Sequence, residues 1–455
     1  MMTDATAIGK RSCALDDVSQ RERTLDEADV YSPGRRGVAI VKGVTSLLHI
    51  AGLRTHRLLL PPAIFVLCFA RPSFAQIPQG AGQASSSRAT SNPCARASPA
   101  YIRIATETGG LPWFLQRSEA GKVGHFMRES SGNNRETLLW ATGTLERGGS
   151  RSFALPVDST VERLTFSLSV DTPGSAITLT RPSGAVVVFN DPNTETTELL
   201  CGRVVTVVSP EPGAWRADIS GSGTFWFQST ARTEIFLSGV EFVKLGGRPG
   251  HEGMFRISGQ PLAGAPATLE LHLSGPVRTA SFKLVTLDGE MIKPIALKTI
   301  STGADETEYS GEFELPQQPF RVVAAGEDQK GNAYQRFYPG LFHAETVEVT
   351  RLGDLFDDLP PGKTTAVKFN VRNIGPPSNF RIVAADSKRF VSRVDPEALS
   401  LETGASATVT VDLSVPPGTP PGTGLDLTIT AASTSSPVTT NSAVAHLSVF
   451  ESRKP

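Results

Sequence analysis

The sequence predicts a mainly β protein of tandem sandwiches, a jelly roll followed by two immunoglobulin-like domains, after a short helical segment. Three observations lead there. Beyond residue 137 apolar side chains alternate instead of recurring at spacings of three and four. Gly (42) and Pro (33) punctuate this region between short apolar runs, as turns do between strands. At 455 residues the chain is long enough for about three domains of roughly 150 residues each. Charge is balanced, with 44 Lys plus Arg against 45 Asp plus Glu, and it is spread along the chain. That excludes a nucleic-acid binder held by a basic face.

The N-terminal part reads as a leader over residues 1–75. Arg54, His56 and Arg57 precede an apolar run at 58–70, and Ser73-Phe74-Ala75 before Gln76 forms the small-x-small pattern of a signal-peptidase site. Cleavage is therefore expected between Ala75 and Gln76. The run is too short to span a bilayer, for which about 20 residues are needed, and Pro61-Pro62 breaks it. No stable membrane span is expected once the signal is gone. The stretch upstream of the run is longer than signal peptides use, which points to translation starting near Val38, Val41 or Val44, or else to a cytoplasmic tail on an uncleaved anchor. Residues 76–99, rich in Gly, Ser, Gln and Pro, form a disordered linker because they bury too little to offset their ordering entropy.

Of the four cysteines, Cys13 and Cys68 fall in the leader, leaving Cys94 and Cys201. In an oxidising compartment they form either one disulfide or two buried thiols, since sequence does not show their separation. Between 100 and 136 the apolar positions Tyr101, Ile102, Ile104 and Ala105, then Val123, Phe126 and Met127, keep helical spacing interrupted at Gly109-Gly110.

From 137 to 245 strands are expected at 161–170, 176–180, 204–208, 215–219, 224–228 and 235–243, with turns at Ser209-Pro210-Glu211-Pro212-Gly213 and Gly221-Ser222-Gly223. A second sandwich, 246–350, carries strands at 255–258, 267–273, 281–287, 312–315 and 320–325 and hairpin signals at Asp288-Gly289 and Lys330-Gly331-Asn332. A third, 351–455, alternates at 367–371 and 408–413 and holds a stiff turn at Pro416–Gly422 before a strand at 425–430. The last two have the size of immunoglobulin-like sandwiches, about 100 residues.

Several short stretches resemble a known family. Ala105-Thr106-Glu107-Thr108-Gly109-Gly110, Gly143-Thr144-Leu145, Pro182-Ser183-Gly184 and Pro210-Glu211-Pro212-Gly213-Ala214-Trp215 resemble the region after the von Willebrand A domain in hemicentins and in von Willebrand factor A domain-containing protein 7. Tyr309-Ser310-Gly311-Glu312-Phe313, Pro319-Phe320-Arg321-Val322 and Tyr334-Gln335-Arg336 are similar to the sandwich that comes next in that family. Asn370–Gly375 and Leu399–Gly404 resemble sandwiches of bacterial surface proteins. The resemblance implies that 100–136 is the end of an A domain, that 137–245 is a galactose-binding-like jelly roll, and that immunoglobulin-like domains follow. The Asp-x-Ser-x-Ser metal motif of an A domain is missing: the nearest string, Asp17-Val18-Ser19-Gln20-Arg21, lacks the second Ser. Metal-dependent adhesion by that route is not implied.

Catalytic patterns are few. The five histidines after the leader, His125, His251, His272, His343 and His446, stand in no His-Glu-x-x-His frame, and Gly-x-Ser-x-Gly is absent. Gly362-Lys363-Thr364 lacks the Gly of a phosphate loop at 357, which is Asp, and reads as a turn before a strand. Asp354, Asp357 and Asp358 offer hard oxygen ligands, so calcium is a minor expectation there, as it is at Asp191 with Glu195 and Glu198, and no other cofactor is expected. Trp215 is expected in the core. Trp226 must point opposite Phe225 and Phe227, which makes it the candidate contact for a sugar ring or a partner. The expected function is an exported, non-enzymatic binding or adhesion protein of the envelope or extracellular space, with a protein or glycan ligand at the cell surface. The alternatives are a carbohydrate-binding module or a spacer for another subunit.

Overall fold

The computed structural model describes residues 92–94, 97–124, 134–189, 191–247, 250, 252–353, 358–434 and 438–450, together with the backbone strand Val66–Phe69. The signal-cleavage positions Ala75 and Gln76, His125, His251, Asp354 and Asp357 lie outside the described residues. Helix appears as an α-helix at Pro99–Thr108 and a 3₁₀ turn at Arg117–Lys122; the rest of the regular structure named here is β.

Three sandwiches follow one another, as the alternation predicts. In the first, the strands Arg135–Val157 and Gly213–Arg232 pair antiparallel from Arg135↔Arg232 to Val157↔Gly213. The two halves of this ribbon take different neighbours within one connected six-stranded sheet: residues 225–232 also pair with Arg163–Val170, and residues 216–220 with Ala176–Thr180. The ribbon turns the corner where its register shifts, between Leu145 and Gly149. Gly223 sits at this corner with φ +83°, and a Cβ there would lie 2.4 Å from the Asp171 carboxylate, so glycine is required. The Gly221–Gly223 stretch is thus a bend within a single strand, not the turn between two strands that the sequence suggests.

The second sandwich stacks a five-stranded sheet in the order Gly253–Arg256, Phe236–Gly246, Pro266–Ser274, Glu306–Glu314 and Lys298–Thr302 on a four-stranded one. The latter runs Met291–Ile295, Val277–Val285, Arg321–Asp328 and Ala333–Phe337. Leu269, Leu271, Leu273, Phe282, Leu284 and Val322 fill the space between them. The third repeats the plan with four and five strands around Val367, Phe369, Val409, Val411, Leu427 and Ile429.

The domain limits move from those expected. Phe236–Gly246 pairs with Pro266–Ser274 and Gly253–Arg256, so the second sandwich begins near 235 instead of 246. The true junction, Thr233-Glu234-Ile235, carries no Gly or Pro to mark it in the sequence. Val347–Leu352 likewise pairs with Thr364–Asn373, placing the start of the third sandwich at about 347 instead of 351.

The segment before the first sandwich is only partly helical. Pro99 opens the helix at a position where its missing N–H costs nothing, and Gly109 closes it in the left-handed region at φ 76°, its amide hydrogen-bonded to the Thr106 carbonyl. The chain then extends as Pro112–Leu115, where helical spacing was expected, and lies on the sandwich as a third layer. In the same backbone trace Val66–Phe69, part of the apolar run of the leader, pairs parallel with Pro112–Leu115.

Candidate functional site

Trp226 does project away from Phe225 and Phe227, but it does not reach solvent. Its indole is 5% exposed and packs on the Phe114 ring at 5.6 Å, because Pro112–Leu115 covers the face to which alternation sends it. The same cover buries Ser169, whose hydroxyl donates to the Pro112 carbonyl. The candidate ligand contact at Trp226 is therefore corrected to a core residue. Trp215 is also buried, with Nε1 donating to the Glu211 carbonyl at 2.9 Å. Cys94 and Cys201 are joined as a disulfide, with Cα atoms 5.6 Å apart, which ties the covering segment to the sandwich.

Among the described residues no group of three or more His, Cys, Asp or Glu is placed to hold a metal ion. Glu195 and Glu198 instead pair with Arg163 at 3.0 Å and Arg203 at 2.8 Å. His446 contacts Asp426 at 2.7 Å on an exposed face. Gly362 is a turn residue, its amide bonded to the Val415 carbonyl, as expected.

Two arrangements not signalled by any motif stand out. The first is the junction of the first two sandwiches, where Ala333–Phe337 lies along Arg135–Val157 and Val285, Val323 and Phe337 enter the core of the first sandwich. Arg336 and Asp158 are both fully buried there and meet at 2.7 Å. The guanidinium also donates to Thr233 Oγ1 at 2.7 Å and to the carbonyls of Ile235 and Gln335 at 2.9 Å, while Asp158 accepts from the Thr160 amide at 3.1 Å. Gln335 Nε2 donates to the Leu138 carbonyl at 2.9 Å, and Asp328 of the second sandwich accepts from the amide and hydroxyl of Ser159. Burial pushes the Asp328 carboxyl up, but the hydrogen bonds from Ser159 and Asn332 outweigh this and hold it at about 2. Beside this network Arg321 lies 4.1 Å over the Trp140 ring and donates to the Thr106 carbonyl at the end of the helix, and burial lowers its pKa to about 9. A cation at a helix C-terminus is favoured by the partial negative charge there.

Glu136 completes the junction. Burial raises its carboxyl from the ordinary 4.5 to about 8, against the opposing pull of Arg336 and the Leu237 amide. A carboxyl whose pKa is raised by folding contributes stability that is complete below 4.5 and is lost as pH rises through about 8. Denaturant unfolding followed between these limits should therefore show stability falling with pH in the native chain. Glu136→Gln, which cannot ionise, should flatten that dependence; identical slopes would rule out a buried, protonated Glu136.

The second arrangement is a cleft of about 370 Å³ at one end of the second sandwich. It opens between the tip of the Lys298–Thr302 and Glu306–Glu314 hairpin and the start of Val277–Val285. Arg278, Asp305, Tyr309 and Gln329 contribute its polar groups, together with threonines of both sheets. The Gly275 amide donates to the Asp305 carbonyl at 3.0 Å, and Gln329 Nε2 to the Val277 carbonyl at 2.8 Å, which fixes the rim. The Tyr309 ring meets the Phe282 ring edge-on at 4.8 Å, and burial raises its phenol above the ordinary tyrosine range. The Glu306 side chain turns to the outer face of its sheet, where its carboxylate lies 3.3 Å from His272 Nδ1. A volume of this size is at the small end of ligand pockets, which run from about 300 to 1,000 Å³.

The described residues thus form tandem β-sandwiches with a buried, cross-braced junction and an open polar cleft. Residues 137–234 match the family described as hemicentin galactose-binding domain-like, and residues 349–451 match the VWA7 Ig-like domain. The two domains stand in the order that the resemblance implies. Both families are of binding or immunoglobulin type and not enzymatic. No curated protein sequence matches the chain. Among solved structures, the chain is similar to a Bacillus licheniformis lipase, BlEst2, in its propeptide form, at 14% identity over 44% of this chain and 39% of that one (TM-score 0.21). It is also similar to native alpha-2-macroglobulin of E. coli, at 11% identity over 68% and 30% (TM-score 0.22). The full ectodomain of mouse nectin-like molecule 4 matches at 13% identity over 68% of this chain and 98% of that one (TM-score 0.16). The chain thus spans less than half the length of the lipase and the macroglobulin.

Proposed function

We propose that the chain is an exported, non-enzymatic adhesion protein that binds a protein or glycan at the cell surface, with its sandwiches acting as one stiff arm. The observation that carries this reading is the junction. Two sandwiches that share a core and a fully buried Arg336–Asp158 pair transmit force and orientation, a property useful in a protein that holds a ligand at a distance. The third sandwich is also fastened to the second: Asn441 donates to the Gln260 carbonyl at 3.0 Å, and Glu345 accepts from the Thr440 amide at 3.0 Å. The matched hemicentin-like and immunoglobulin-like domains support an extracellular binding role.

The test is retention of beads coated with the exported chain on intact cells, with protease and glycosidase treatment of the cells to identify the ligand class. Retention that one treatment abolishes is expected. Beads that wash off untreated cells, or a purified chain that hydrolyses esters, peptides or glycosides at enzymatic rates, would overturn the reading.

A further inference from the structure

We infer that the cleft of the second sandwich is a binding site for a neutral sugar, with Asp305, Arg278 and Gln329 as its hydrogen-bonding groups and Tyr309 as an apolar wall. The inference rests on the adhesion reading and names the chemistry that one of its surfaces would recognise. It moves the sugar contact from the first sandwich, where the sequence placed it at Trp226, to a place that no sequence motif marks.

The chemistry of the lining selects the ligand. Each sugar hydroxyl both donates and accepts, so a site for several of them needs acceptors and donors side by side. Asp305 supplies a carboxylate acceptor. Arg278, the Gln329 amide and the protonated Tyr309 phenol supply donors, and the threonines Thr299 and Thr302 supply both. Hydrogen bonds to charged partners are the stronger ones, which suits a ligand that must be taken from water. Arg278 is already paired with Glu327, so the cleft offers an anion no unbalanced positive charge and phosphate-rich ligands are disfavoured. The cleft's small residues, Gly275, Ala280, Gly303 and Ala304, leave room for a ring. Carbohydrate recognition at an edge of this kind is expected to be weak for one sugar, in the millimolar range, and to gain strength when several copies engage a surface.

The experiment is saturation-transfer NMR on the full chain with a panel of neutral hexoses and N-acetylhexosamines, followed by titration of the best binder against the native chain and against Asp305→Ala, Arg278→Ala and Tyr309→Phe. Thermal melting of each variant checks that it folds. The expected result is transfer from at least one sugar, with affinity reduced at least tenfold in folded Asp305→Ala and Arg278→Ala and less in Tyr309→Phe. No transfer from any sugar, or a sugar whose affinity is the same in folded cleft variants, would overturn the inference. Bead retention that survives the cleft variants and excess free sugar would overturn it while leaving the adhesion reading intact, whereas loss of retention by the native chain would remove that reading itself. Inorganic phosphate, titrated alongside, should not compete with the sugar; competition would count against a neutral-ligand site.

Discussion

Asp158→Ala is expected to destabilise the chain by about 3–5 kcal/mol, since it leaves the buried Arg336 guanidinium without its charged partner. The geometry makes the loss severe. Both side chains are fully buried, and the remaining acceptors of Arg336, the Thr233 hydroxyl and the Ile235 and Gln335 carbonyls, are neutral. Because the pair bridges two sandwiches, denaturant unfolding of the native chain should show them melting together, and the variant should separate them into two transitions. Replacing both partners by apolar residues, Asp158→Leu with Arg336→Met, should recover much of the stability, because the isolated charge is what costs most. A shift of less than about 1 kcal/mol in Asp158→Ala, within the range of exposed ion pairs, would mean that water reaches this junction.

Removing the disulfide is the second large effect. Cys94 and Cys201 are separated by 107 residues, and closing a loop of that length stabilises by about 4–5 kcal/mol when only the entropy of the unfolded chain is counted. The double variant Cys94→Ser and Cys201→Ser should melt well below the native protein, which should itself gain the mass of two hydrogens on reduction. Its tryptophan emission should shift to the red at temperatures below the main transition. The reason is local: Cys94 anchors the segment that lays Phe114 over Trp226, so its release uncovers that indole first. An unchanged melting temperature and emission would show that the segment holds without the bond.

The β architecture and the order of the domains are legible in the sequence because alternation and turn chemistry are local properties. Val367, Phe369 and Val371 enter the third core as their spacing predicts, and Lys363 and Thr364 lead from a turn into a strand. Spacing failed where a strand is buried on both faces. Thr165 and Ser169 sit on the side of Arg163–Val170 that alternation assigns to solvent, yet both are buried, Thr165 against Thr206 at 3.0 Å. The long corner strand Gly213–Arg232 was divided in sequence because a Gly-Ser-Gly run reads alike in a turn and in a bulge.

The sequence by itself therefore determined the fold class, the number of sandwiches and the family resemblance, all carried by residues within one strand or turn of each other. Tertiary structure decided the rest. The partner of Arg336 lies 178 residues away, and the groups of the cleft come from two sheets that meet only at the end of the sandwich. Trp226 became core because a segment more than 100 residues upstream folds back over it. Burial of a charge or an indole depends on what packs against it, and that neighbour is set by chain topology, not by the residues beside it in sequence.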